Sequence, residues 1–162
     1  MKTLILVRHG KSSWEYSVGD KDRPLLERGI NDALLVSDKF HEQSIKIDWI
    51  FSSPANRALH TAMVFCRQMY FPLDKFRTTE WLYDFSGNEV LQFAKELDDD
   101  LETVMIFGHN HAFTYIANSL GNTYIENVST SGLVQLEFDV EDWTSIEKGV
   151  TAQTIFPKQL RA

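Results

Sequence analysis

Three segments of this 162-residue chain share one layout: an apolar strand, a polar cluster, then a helix. Residues 3–7 (Thr-Leu-Ile-Leu-Val) run into Arg8-His9-Gly10. Residues 47–51 run into Ser52-Ser53-Pro54-Ala55-Asn56-Arg57. Residues 103–107 run into Gly108-His109-Asn110. Strands apolar along their whole length are buried on both faces, which is the mark of parallel strands covered by helices. The alternation of such strands with helices predicts an α/β fold, a three-layer α/β/α sandwich on a mostly parallel central sheet.

The helical spacing supports this reading. Ile30, Ala33, Leu34, Ser37 and Phe40 predict a helix over 26–42, opened near Pro24 and weakened in its first turn by Gly29. Ser53 as N-cap and Pro54 at the first helical position predict a second helix, which Phe71-Pro72 ends. A third strand is expected over 75–82, short helices over 89–97 and 112–120, and Gly121 as a cap. Asp98-Asp99-Asp100 reads as a solvated turn. Residues 133–138 and 151–156 predict a C-terminal antiparallel hairpin. No repeat or linker divides the chain, so one domain over 1–162 is expected.

Composition narrows the function. A net charge of −7 argues against a nucleic-acid surface, which phosphate backbones require to be basic. The first apolar run is stopped by Arg8, too early for a signal peptide, and no run is long enough for a membrane span. The single Cys66 excludes an internal disulfide, so a cytoplasmic location is expected.

If the three strands are parallel neighbours, their clusters meet at one sheet edge, where open α/β sheets keep their ligands. Arg8, His9, Arg57 and His109 then line one pocket suited to a dianion, since guanidinium forks bind phosphate oxygens and helix N-termini add amides. A neutral His9 can attack phosphorus and hold the phosphoryl group covalently. Other phosphate chemistries fit poorly. The upstream glycine of a P-loop ending in Gly10-Lys11-Ser12 would fall on Ile5. A cysteine-phosphatase loop from Cys66 would need arginine where Pro72 stands, and Asp98-Asp99-Asp100 follows a helix rather than a strand. His109 and His111 as metal ligands lack a supporting carboxylate or cysteine set.

The motifs Leu6-Val7-Arg8-His9-Gly10, Ser52 to Ala58 with Thr61-Ala62, and Gly108-His109-Asn110 resemble the signatures of the histidine phosphatase, or phosphoglycerate-mutase-like, superfamily. Arg23-Pro24-Leu25 with Gly29, the compact middle and the tail from Ser131 to Lys158 resemble its SixA branch of phosphohistidine phosphatases. The resemblance implies His9 as the phosphorylated nucleophile, Arg8, Arg57 and His109 as the phosphate-binding ring, and no metal or other cofactor. His60 and His111 depart from the glutamine and proline common in relatives. The glutamate that many relatives use as proton donor is matched best by Asp84, a possible general acid, and less well by Glu80. Lys11 and Arg23 are the available cations for further substrate contacts at the mouth. The expected partner is a histidine-phosphorylated protein or a small phosphate ester. A mutase and a non-catalytic phosphate-binding module are the alternatives.

Overall fold

A computed structural model describes residues 1–161. Six strands form one sheet: β1 (Lys2–Arg8), β2 (Trp49–Ser52), β3 (Phe76–Thr78), β4 (Thr103–Gly108), β5 (Leu133–Phe138) and β6 (Val150–Ile155). Their spatial order is β3-β2-β4-β1-β5-β6. The first four of these are mutually parallel, β5 runs antiparallel to β1, and β6 runs antiparallel to β5. Four helices cover the sheet: α1 (Glu27–His41), α2 (Asn56–Gln68), α3 (Asn88–Lys95) and α4 (Ala112–Leu120).

Strand alternation sorts the core into two layers. Ile5, Val7, Ile50, Met105 and Phe107 pack with Val36 and Phe40 of α1 and Phe65 of α2. Leu4, Leu6, Val104 and Ile106 pack with Val90 of α3 and Phe113 and Ile116 of α4 on the opposite face. Both faces are therefore buried, and the strands read as continuous apolar runs. This is the predicted three-layer sandwich with its C-terminal antiparallel pair.

Register sets where the strands end. Arg8 pairs with Gly108, and Ser52 pairs with Phe107. The tips of β1, β4 and β2 thus finish level at one edge, and their polar clusters follow at that height.

Several local expectations are corrected. β3 stops at Thr78, because the Thr79 hydroxyl accepts the Trp81 amide (3.3 Å) and turns the chain into a 3-10 turn over Glu80–Leu82. α2 begins at Asn56 rather than Pro54, with Ala55 as its cap. Ser53 is not the N-cap: its hydroxyl accepts the Ala55 amide (3.2 Å) and lies 2.8 Å from His109 Nε2. The turn at 98–100 is exposed as expected, and Asp99 Oδ1 accepts the amide of the buried Trp143 (2.9 Å). Gly121 does cap α4, in extended rather than left-handed backbone.

Gly10 and Gly29 permit a close crossing of the first strand's exit and α1. A Cβ on Gly10 would lie 2.9 Å from the Gly29 carbonyl, and one on Gly29 would collide with the Lys11 backbone. Helix propensity alone favours alanine over glycine by about 1 kcal/mol. Here the backbone collision outweighs it, so Gly29→Ala is expected to destabilise the fold by roughly 1–3 kcal/mol in urea unfolding, the usual range for overpacking.

Candidate phosphoryl-transfer site

The level strand tips bring together the four side chains that the sequence singles out. His9 leaves β1 with its amide donating to the Gly108 carbonyl (3.0 Å), so the segment bearing it is fastened to β4. Its Nδ1 lies 2.7 Å from the Gly10 carbonyl. A carbonyl only accepts, so Nδ1 carries the proton and Nε2 keeps its lone pair. The Gly10 amide donates to Thr61 Oγ1 (2.9 Å), and that hydroxyl donates to the Arg57 carbonyl (2.7 Å). The Ser131 amide reaches the Arg8 and His9 carbonyls (3.0 and 3.1 Å).

Arg57 is almost completely buried in the first turn of α2. Its Nη1 donates to the Asp20 carbonyl (2.7 Å) and its Nη2 to Asp20 Oδ2 (2.9 Å). Arg8 Nη1 donates to the Val128 carbonyl (2.9 Å). The rings of His9 and His109 stand with centroids 5.2 Å apart. Phe85 and Tyr83 pack on His109 at 4.9 and 5.4 Å.

Among the described residues, the buried side-chain nitrogens and oxygens without a hydrogen-bond partner are Arg8 Nε, Arg57 Nε, His109 Nδ1 and Ser129 Oγ. Buried polar groups are nearly always satisfied, so such a cluster calls for a missing partner. Three of the four belong to side chains grouped with His9. Donors left open on two guanidinium groups and an imidazole fit an oxyanion.

The electrostatics suit a nucleophilic imidazole. Burial, helped by the charges of Arg57, Arg8 and Arg23, pushes His9 down to about 3, although its bond to Gly10 works the other way. Burial, with His9 and Arg57 nearby, pushes His109 down to about 2. Both rings are therefore neutral at ordinary pH. Burial also lowers Arg8 from the usual arginine range.

The remaining candidates fare differently. Arg23 is buried, but it is held inside its own loop: it stacks 3.5 Å over Trp14 and donates to the Ser13 carbonyl and Asp20 Oδ1 (both 3.3 Å). Lys11 is exposed and makes no hydrogen bond or ion pair with the quartet; its carbonyl accepts the Leu26 amide (2.8 Å). Asp84 is the main correction. Its carboxylate accepts the Ser86, Gly87, Glu89 and Val90 amides and the Ser86 hydroxyl, all at 3.0 Å. Burial works to raise its pKa, but the Val90 and Ser86 bonds prevail and hold it below the usual carboxylate range. It is an ionised cap for α3, with no free acid to donate. Glu80 is exposed and paired with Lys21 (2.9 Å). His111 is exposed and stands before α4. Among the described residues no three His, Cys, Asp or Glu side chains gather as a metal site. No described helix is long and apolar enough to cross a membrane.

Sequence reasoning missed Asp20 and Tyr83, whose hydroxyl donates to Asp20 Oδ2 (2.6 Å). Both lie on loops with no periodicity. Burial works to raise Asp20, but the bonds from Tyr83 and Arg57 hold it down at about 2.

The sequence profile of the histidine phosphatase superfamily (branch 1) matches residues 4–84. The chain belongs to that superfamily, a class of phosphatases and mutases. An uncharacterized protein of Mycobacterium tuberculosis (strain CDC 1551 / Oshkosh) is 27% identical over 157 residues, covering 90% of this chain and 95% of that one. The 2,3-bisphosphoglycerate-dependent phosphoglycerate mutase of Gloeothece citriformis (strain PCC 7424) is 40% identical over 67 residues, covering 40% of this chain and 29% of the mutase. Among solved structures, the protein histidine phosphatase SixA complexed with tungstate superposes with a TM-score of 0.83 at 20% identity, covering 98% and 99% of the two chains. The fold is thus shared with SixA.

Two outcomes follow from the site's charges. Asp84→Ala is expected to cost about 1–2 kcal/mol of stability, as for a lost helix cap, while Asp84→Asn leaves orthophosphate binding unchanged by calorimetry. The folded-state pKa values of His9 and His109 lie below the unfolded value near 6.5. The unfolded chain therefore binds more protons below that pH, and stability falls as pH drops from about 6.5 toward 3. Urea unfolding across this range should show the decline, and His109→Gln should flatten it.

Proposed function

We propose that this protein is a phosphatase that works through a phosphohistidine on His9 and that its substrate is phosphohistidine on a protein. The observation that carries the reading is the set of unpartnered buried donors beside an imidazole whose Nδ1 is already committed. Nε2 of His9 attacks phosphorus as the bond from phosphorus to the leaving group breaks. Arg8, Arg57 and His109 donate to the equatorial oxygens, where charge concentrates during transfer. Water then attacks the phosphoryl group. The bond to Nε2 breaks, the proton of the water passes to the departing phosphate, and neutral His9 returns.

The substrate class follows from the missing acid. An alkoxide must be protonated to leave. Asp84 is consumed as a helix cap, Glu80 is tied to Lys21, and Asp20 is strongly ionised. Phosphohistidine protonated on its other ring nitrogen expels a neutral imidazole and needs no such help. The likeness of fold to a protein histidine phosphatase supports the same reading. A mutase or small-ester phosphatase, which the match to a phosphoglycerate mutase suggests, needs both an acid and free cations for a second anionic group. We place the protein in the cytoplasm, where Cys66, buried and with its thiol pushed up to about 11 by burial, stays reduced.

With a labelled phosphohistidine protein, His9→Ala is expected to lose at least about a thousandfold in turnover together with the acid-labile phosphoenzyme. Aryl phosphates and phosphoramidate should turn over, and glycerol phosphate should stay near background. Equal rates on glycerol phosphate and phosphohistidine would reject the acid-free reading. Tight orthophosphate binding without any turnover would leave a binding module instead.

A further inference from the structure

Arg57, which is buried, and Arg8, which is half-buried, share one feature. Arg8 gives Nη1 to a main-chain carbonyl, that of Val128, and Arg57 gives Nη1 and Nη2 to Asp20. In both, Nε stays buried and without a partner. Nη1 of Arg8 and both outer nitrogens of Arg57 are fastened to the protein, and the Nε of each is left for an incoming oxygen. The tether of Arg8 is backbone alone, but that of Arg57 adds the carboxylate of Asp20 to its carbonyl, both on a loop.

That loop is made to deliver it. A bridge between Ser12 and Leu25 closes its neck, with the Ser13 amide on the Pro24 carbonyl (2.8 Å) and the Leu26 amide on the Lys11 carbonyl. Its far end turns as a 3-10 segment over Asp20–Asp22. Asp20 takes Arg57 and the Tyr83 hydroxyl on Oδ2 and Arg23 Nε on Oδ1. Lys21 bonds Glu80 beside Tyr83, and Asn56 Nδ2 reaches the Asp22 carbonyl (3.4 Å). The Asp20 side chain remains 43% exposed at this junction.

We propose that Asp20 is a positioning residue for phosphoryl binding: it grips the outer end of the Arg57 guanidinium, with the Tyr83 hydroxyl fixing its carboxylate, so that the Nε edge faces the phosphoryl oxygens. This rests on the phosphatase reading of the same site. The opposite role for the same carboxylate is that of an occupant, a built-in anion that a phosphate must displace. The two differ in sign. Loss of a positioning group weakens oxyanion binding, and loss of an occupant tightens it.

Orthophosphate binding to the full chain, read by calorimetry, separates them. Asp20→Ala is expected to weaken binding roughly tenfold, as for lost hydrogen bonds to a charged group. Asp20→Asn, whose amide oxygen still accepts from Arg57, should fall between that variant and the parent, and Tyr83→Phe should show a smaller loss. If Asp20 acts through Arg57, the two changes are not additive. The double variant Asp20→Ala/Arg57→Ala should then bind as Arg57→Ala alone does, which a general loss of fold would not produce. Tighter or unchanged binding in Asp20→Ala overturns the proposal, as does a further loss in the double variant. No orthophosphate binding by the parent chain, or full binding by Arg57→Ala, removes the anion site itself. That failure is visible before Asp20 is altered, and it takes this proposal with it.

Discussion

The Arg57 guanidinium lies buried and that of Arg8 half-buried at one end of the sheet, and the architecture around them answers the cost of keeping them there. A buried cation is tolerated only when its hydrogen bonds are met. Here Nη1 of Arg8 is met by Val128 and both outer nitrogens of Arg57 by Asp20, and the two Nε groups are not. Three of the four unmet buried polar atoms among the described residues lie on side chains grouped with His9. Burial, with the arginine charges in support, holds His9 neutral, so its Nε2 keeps a free lone pair.

The site is a product of register as much as of residue identity. Arg8 opposite Gly108 and Ser52 opposite Phe107 bring three separate segments to the same height. A one-residue slip of a strand would turn its side chains to the other face, moving Leu4 and Leu6 into the core that holds Ile5 and Val7 and carrying the polar cluster off the edge. Thr61 links Gly10 to the first turn of α2, so the nucleophile loop and the Arg57 helix are braced against each other.

The layers, the strand tips and the quartet were legible because apolar runs and helical spacing are local patterns, and because each polar cluster directly follows its strand. What escaped lies in loops. Asp84 reads in sequence as a free carboxylate after a strand. Only the fold reveals four amides at the start of α3 turned toward it. Ser53 before Pro54 has the pattern of a helix cap, yet its hydroxyl is claimed by a histidine 56 positions later. Asp20 meets Arg57 across 37 positions, a separation that carries no periodic signal.

The position of β1 has a consequence for how the chain is made. It is an interior strand, and both its neighbours, β4 and β5, come from residues beyond 100. During synthesis the segment bearing His9 therefore emerges well before β4 and β5 and stays without its sheet partners until they follow. Such distant pairings form slowly and leave an apolar strand open to wrong company in the meantime. The segment bearing His9 is thus translated before both strands that hold it in the sheet, and gains its place only once they follow.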